Sequence, residues 1–533
     1  MKILVCFKVM PNWDRVLEED WEQFDINTDI SYAGIEYNCF DQSALELGLQ
    51  IKNKMAGQEQ ESTCTALTIG DTLPDNMAQN LYSLGFDEVV LIEKEKTEFA
   101  TYQVADILAQ YARDKQYDLI LTGSVAGMAE TGMVPFLLAE KLGLSVLSEI
   151  ETATICEQGI AVTCRKEDGL WQQIATLPLL LTVGNSPAVL RCSSLRARLS
   201  FKGVSAKKIA ITDATAISMM LPQLSCPKSI RKGKMLYGKE RDNAEEIFNL
   251  ISYEKADSCE QKIEHDFNAS LPENTVVYEF SEDDLYCIDE VLNNLVADWK
   301  SKKPKLAIFE DTQCGRQLAV KLASKVGCKC MTKGTVISTS ESNITLQKRA
   351  CASNLIWTQR IDYPAVITLK QPLGNVTRVQ LKAENSEHKS WLIEQKLIAS
   401  EPENLLQKAK LVFVCGAGMG SKQACDKVRE LAKKIGAGFG LTRPVALNGW
   451  GSTSEIIGQS GKIISPSICL ALGTAGAGAF LVGIEGAKKI IAVNTDSNAL
   501  IFKNADIGIK MDAIKFVDAM IQVLESRSDD IEN

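Results

Sequence analysis

The chain has 533 residues, 45% of them apolar and 24% charged. That is well beyond the roughly 250–300 residues at which a single core stops growing, so about three domains are expected. With 58 basic against 68 acidic residues the formal net charge is −10, which argues against nucleic acid as a partner. No 18-residue stretch is free of charges or glycine breaks, so no membrane span is expected.

Met1-Lys2 leads directly into Ile3-Leu4-Val5-Cys6. That run is too short for a secretory apolar region and patterned like a buried first strand, so the protein is expected in the cytoplasm. In the first 200 residues short apolar runs alternate with longer amphipathic stretches, the pattern of a parallel sheet covered by helices. Strands are predicted over 2–6, 63–69, 88–92 and 118–122. Helices are predicted over 42–52, with Asp41 as N-cap and Leu45 and Leu49 on one face, and over 102–111. Residues 160–183, with Pro178 ahead of a Leu-Leu-Leu-Thr-Val run, read as a strand pair that closes this domain.

From about 205 to 273 the pattern weakens into charged, mixed sequence, read as a linker or arm. A second α/β rhythm follows, with a strand over 275–280, a helix over 288–299, a strand over 305–309 and a helix over 316–325. A third begins at Leu411 and is the most glycine-rich, with strands predicted over 411–414, 468–472 and 489–493. The expected class is α/β: three domains with parallel-sheet, Rossmann-like cores, at 1–205, 274–400 and 401–533, with 206–273 as the linker.

Sixteen scattered cysteines without a Cys-x-x-Cys pair read as reduced, mostly buried residues. His265 and His388 are the only histidines, which leaves few candidates for a zinc site or a histidine-driven triad. No metal is expected, and any redox chemistry falls to a cofactor.

The third domain carries the strongest binding signal. Cys415-Gly416-Ala417-Gly418-Met419-Gly420 follows a strand and opens a helix, where free N–H groups and the helix dipole can face a phosphate. Glycine at such a turn is equally what any tight strand-to-helix connection needs. Two more small-residue loops, Gly458-Gln459-Ser460-Gly461-Lys462 and Gly473-Thr474-Ala475-Gly476-Ala477-Gly478-Ala479, and a polar loop Asn494-Thr495-Asp496 after a strand fit an extended dinucleotide better than a coincidence of turns. Arg443 is the cation near these loops that can sit beside an isoalloxazine ring.

These residues resemble the FAD domain of the α subunit of electron transfer flavoproteins. The counterparts of that family's motifs are Thr442-Arg443, residues 457–462, residues 473–480, Asn494-Thr495-Asp496, Ile501-Phe502 and Ala505-Asp506-Ile507-Gly508. Residues 312–319 resemble a further α-subunit stretch. The first domain is similar to the β subunit, through Phe7-Lys8-Val9-Met10-Pro11, Asn38-Cys39-Phe40-Asp41 and residues 165–180. The resemblance covers most of the chain and implies a β-like and an α-like part fused in one polypeptide.

It implies that FAD is bound by Thr442, Arg443, Ile457, Gly458, Gln459, Ser460, Ala475, Gly476, Ala477, Gly478, Ala479, Phe480, Asn494, Asp512 and Ala513. The β-like domain is implied to hold AMP, or a second FAD, through Cys6, Asn38, Phe40, Asp41, Thr68, Ala126, Glu130 and Thr131. Leu195 falls where the family's docking loop presents a leucine. The chain departs from the family at Phe480, where a histidine is usual and no hydrogen bond can be donated, and at Ala475 and Ala479. The loop 123–132 is also shorter and lacks the family's acidic run.

The implied function is a soluble FAD electron carrier rather than an enzyme with its own substrate. It takes electrons from a flavin-dependent dehydrogenase of the acyl-CoA dehydrogenase kind and passes them to a downstream acceptor. The alternatives are an NADH-dependent bifurcating flavoprotein with two FAD, and a redox-silent nucleotide-binding paralogue.

Overall fold

The computed structural model describes residues 1–25, 28–94, 100–166, 169–184, 188–211, 221–227, 231, 233–256, 271–280, 287–369, 378–381, 391–400 and 405–532. His265 and His388 lie outside them. The chain divides into two compact units, one of residues 1–226, 265–351 and 355–400, the other of 227–264, 352–354 and 401–533. Among the described residues no helix is long and apolar enough to cross a membrane, and no group of three or more His, Cys, Asp or Glu is placed to hold a metal.

The first unit contains one arrangement twice. In the first copy, strands Lys207–Ile209, Glu88–Glu93, Thr63–Gly70, Lys2–Cys6, Leu119–Gly123, Leu179–Val183 and Ser145–Cys156 lie side by side in parallel. Antiparallel strands Gly159–Lys166 and Gly169–Ala175 extend the sheet. The central strands are apolar throughout, as Ile3, Leu4 and Val5 show by being fully buried, because helices cover both faces. The second copy repeats the core: Thr275–Tyr278, Leu306–Glu310, Ala365–Leu369 and Lys329–Thr339 in parallel, then Asn343–Ala350 and Leu355–Asp362 antiparallel.

The copies match in detail. Ser145–Cys156 breaks register at Glu149, with φ 56°, and its N–H donates to the Thr182 hydroxyl at 3.1 Å. Lys329–Thr339 breaks register at Lys333, with φ 59°, and its N–H donates to the Thr368 hydroxyl at 2.9 Å. Each antiparallel edge is completed by a strand from the other end of the unit. Leu392–Ser400 pairs with Gly169–Ala175, and Gln223–Ser225 with Leu355–Asp362.

The second unit is a parallel sheet in the order Lys234–Leu236, Ile507–Lys510, Lys489–Asn494, Ile468–Leu472, Leu411–Cys415, Gly438–Leu441. The chain adds Gly438–Leu441 on one side of Leu411–Cys415 and Ile468–Leu472 on the other, so the topological switch point lies between Leu411–Cys415 and Ile468–Leu472. Residues 206–273 carry the short strands 207–209, 223–225 and 234–236 and the helix Glu240–Ala256. Arg231 joins this stretch to the second unit by an ion pair with Asp506 at 2.5 Å and a hydrogen bond to the Ala487 carbonyl at 2.5 Å.

The α/β class with parallel-dominated sheets stands. The strand pair expected over 160–183 is three strands, joined by the unforeseen Ser145–Cys156. The helices Asp75–Leu84 and Val134–Leu142 were also unforeseen.

Candidate functional site

Two sites form at the C-terminal edges of parallel strands, where open α/β sheets bind ligands. In the first unit a cavity of about 130 Å³ opens between the ends of Lys2–Cys6 and Leu119–Gly123, the helix Thr101–Arg113 and the start of Val134–Leu142. Cys6, Lys8, Asp41, Thr122, Ala126, Glu130 and Thr131 line it, with an apolar slot formed by Leu67, Ile69, Val104, Leu108, Val134 and Pro135.

The loop between Gly123 and Val134 makes this cavity and is held at several points. Asp41, in the first turn of Cys39–Gly57, accepts the Lys8 and Gly123 N–H groups, each at 2.8 Å. A Cβ at Gly123 would overlap Asp41 and Phe40, so only glycine permits this approach. Asn38 donates to the Val125 carbonyl at 2.8 Å and accepts from the Gly127 N–H at 3.3 Å. The second copy secures the far side: the Cys351 N–H donates to the Met128 carbonyl at 2.8 Å, and the Thr332 hydroxyl donates to that of Thr131.

Burial pushes the Asp41 carboxyl up to about 6, against the lowering effect of its hydrogen bonds. Burial, and then the Asp41 charge, push the Cys6 thiol far up. Cys6 is therefore a neutral wall residue rather than a nucleophile. Of the residues expected around this nucleotide, Cys6, Asp41, Ala126, Glu130 and Thr131 line the cavity, while Asn38 braces its loop. Phe40 is buried beside Gly123. Thr68 lies elsewhere: Leu67 is in register with Cys6, so the period-2 alternation of a strand turns Thr68 to the opposite face of the sheet.

In the second unit the glycine loops meet at the switch point. Gly416 N–H donates to the Leu472 carbonyl at 2.8 Å and Gly418 N–H to that of Gly473 at 2.9 Å. A Cβ at Gly416 would overlap the Gly473 carbonyl. The N–H groups of Met419, Gly420 and Ser421 are also bonded within the loop, and the Ser421 hydroxyl caps the Ala424 N–H at 3.2 Å. The first glycine loop is thus largely a packing contact, and the N–H groups of Gly416, Gly418, Met419, Gly420 and Ser421 are not free for the phosphate anticipated there.

The second loop differs. The N–H groups of Ala475, Gly476, Ala477 and Gly478 have no acceptor among the described residues, and the buried Thr474 hydroxyl has no partner among them either. The neighbouring loops are tied to this one. Asn494 donates to the Thr474 carbonyl at 2.7 Å, Ile501 N–H to the Ala475 carbonyl at 3.1 Å, and Gln459 N–H to the Ala479 carbonyl at 2.7 Å. Ile457 N–H bonds to Leu441, and Thr442 N–H to Cys415, both at 2.9 Å. Arg443, half-buried, follows directly.

Gly458, Gln459, Ser460, Ala475, Gly476, Ala477, Gly478, Ala479, Thr442, Arg443, Ile457 and Asn494 therefore lie on loops joined at one edge of the sheet. Asp512 is the exposed cap of Ala513–Glu532, accepting the Ile514 N–H at 2.8 Å, with Ala513 buried behind it. Phe480 is 6% exposed and packs in an apolar cluster with Val414, Ile457, Ile484 and Ile501, so its ring serves the core. The sequence reading missed the threonines Thr122 and Thr474. Only their place at a strand end beside a glycine could have marked them.

Free backbone donors at a strand-to-helix turn and an unpartnered buried hydroxyl fit a dinucleotide phosphate. Residues 405–485 match the electron transfer flavoprotein FAD-binding domain, and residues 33–215 match the electron transfer flavoprotein domain. Curated relatives include Protein FixB of Azorhizobium caulinodans, 42% identical over 122 residues (23% of this chain, 33% of the relative). Protein FixB of Escherichia coli O81 is 30% identical over 229 residues (41% of this chain, 73% of the relative). The putative electron transfer flavoprotein subunit YdiR of Escherichia coli K12 is 29% identical over 253 residues (45% and 81%). The alignment spans one third of the first relative and about three quarters or more of the other two.

Proposed function

We propose that this chain, which belongs to the electron transfer flavoprotein family, is a cytoplasmic FAD electron carrier that takes electrons from a flavin-dependent dehydrogenase and delivers them to a downstream acceptor. The carrying observation is the edge of the second unit, where the N–H groups of residues 475–478 and the Thr474 hydroxyl have no hydrogen-bond partner among the described residues. Its C-terminal domain is an FAD-binding domain of that family. FAD, when bound, supplies reversible electron uptake.

The chain's own residues bind and orient it. The 475–478 backbone would offer donors to the pyrophosphate, Asn494 fixes that loop through the Thr474 carbonyl, and Arg443 would supply a cation to the flavin. Phe480 donates no hydrogen bond, so orientation rests on backbone and on Arg443. The cavity of the first unit would hold AMP as a structural nucleotide, with Lys8, Thr122, Ala126, Glu130 and Thr131 among its lining residues. The division at 205, 273 and 400 marks a β-like part fused ahead of an α-like part. Leu195, 74% exposed at the start of the helix Leu195–Ser200, offers the dehydrogenase an apolar docking point.

The test is anaerobic mixing of the purified protein with catalytic acyl-CoA dehydrogenase and its substrate. Bleaching of the bound flavin, with no bleaching by NADH alone, is expected. Rapid bleaching by NADH alone would favour a bifurcating flavoprotein, and no bleaching by either a redox-silent paralogue. Arg443→Ala should weaken flavin binding far more than Arg316→Ala, since Arg316 serves its own helix start through the Thr312 carbonyl at 3.2 Å.

A further inference from the structure

We propose that the Thr122 hydroxyl is a ligand-binding group of the first-unit cavity, completing its hydrogen bonding only when a nucleoside monophosphate is bound there. The proposal rests on the reading of this cavity as a nucleotide site. Thr122 lines the cavity and is 5% exposed, yet its hydroxyl oxygen has no hydrogen-bond partner among the described residues. Buried hydroxyls are ordinarily partnered, and one left without a partner destabilises the fold unless a ligand or water completes it.

The neighbouring threonine shows that the fold can partner a hydroxyl at this level. Thr182, directly opposite Thr122 on the adjacent strand, accepts the Glu149 N–H at 3.1 Å. The internal repeat shows a different occupant of the same position. Thr368 is the counterpart of Thr182, since each accepts the N–H of the residue at a register break. The residue opposite Thr368 is Phe309, fully buried and 5.2 Å from the Tyr278 ring. Tyr278 in turn stands where Cys6 stands in the first copy, opposite that same position.

The same backbone thus carries two aromatic rings where it is closed, and a thiol and a hydroxyl where it is open. A packing role alone would be served by an apolar side chain, as at Phe309. Thr122 instead places a hydroxyl, able both to donate and to accept, in the lining of the cavity beside Cys6.

The experiment compares Thr122→Val, a near-isosteric loss of the hydroxyl, with Thr122→Ser and Thr182→Val. Each is measured by thermal unfolding of the nucleotide-stripped full chain and by calorimetric titration with AMP. Thr122→Val should leave the Tm of the stripped protein unchanged or higher while weakening AMP about tenfold, the range for one hydrogen bond. Thr122→Ser should restore affinity. Thr182→Val should lower the Tm and leave AMP affinity within about twofold. If Thr122→Val binds AMP as the parent does, or loses as much Tm as Thr182→Val, the proposal falls while the nucleotide reading stands. If the parent chain binds no AMP, the reading falls and takes the proposal with it.

Discussion

The two copies inside the first unit share strand order, register breaks and threonine contacts, yet the first opens a cavity where the second places aromatic rings at the matching strand positions. The difference lies after the central strand. In the first copy ten residues, 124–133, separate Gly123 from the helix Val134–Leu142. In the second, Asp311 and Thr312 alone separate Glu310 from Gln313–Val326, and the Thr312 hydroxyl caps the helix by accepting the Gly315 N–H at 3.0 Å. Tyr278, Phe280 and Phe309 then fill the strand ends with stacked rings. One sheet geometry therefore carries either a cavity or stacked aromatic rings at the same place, and the copies differ there in one loop and in the side chains at two strand positions.

The hardest way to break this comparison is to empty the closed copy. Phe309→Ala should cost about 3–5 kcal/mol in urea unfolding, as expected for a buried aromatic, and a loss under about 1 kcal/mol would show that the rings do not close it. Next is Asp41→Ala, which leaves the Lys8 and Gly123 N–H groups without their acceptor. About 2 kcal/mol should be lost, with AMP binding abolished because the loop is no longer held.

The Asp41 carboxyl also gives the open copy a pH signature. Its folded pKa of about 6 lies above the ordinary carboxylate value, so the folded chain holds this proton more tightly than the unfolded one. Its contribution to stability is largest below about pH 4 and declines as pH rises to about 6. Denaturant unfolding between pH 4 and 7 should show this decline in the parent and not in Asp41→Asn, and equal slopes would contradict it.

The smallest effect should be symmetric. Gly143 and Gly327 end the matching helices Val134–Leu142 and Gln313–Val326 with φ of 68° and 70°, each with open space where a Cβ would go. Gly143→Ala and Gly327→Ala should each cost about 1 kcal/mol, and clearly unequal losses would show that the copies are less alike than their backbones.

The continuous apolar runs were legible: Lys2–Cys6, Ile468–Leu472 and Lys489–Asn494 are buried on both faces, and their composition declares it. Asn343–Ala350 was not, because its outward positions Thr345, Gln347 and Arg349 make a one-faced strand read like polar linker, and its partners are set by hairpin pairing. The three-residue strands within 206–273 join strands far away in sequence, a relation no local window contains. At the sites, glycine spacing pointed to loops that gather at one edge of the sheet, yet it could not distinguish the largely self-bonded loop at 416–420 from the one at 475–478, whose N–H groups have no acceptor among the described residues. Nor could it single out Thr122, because an unpartnered hydroxyl is defined only by what surrounds it.

The most direct measurement is chromatography of the nucleotides released on denaturing the purified protein, counted per chain. One FAD with one AMP per chain is expected, the FAD lost on disabling the loop by Gly476→Val and the AMP retained. A folded chain that releases neither, or whose FAD survives Gly476→Val, would contradict the account.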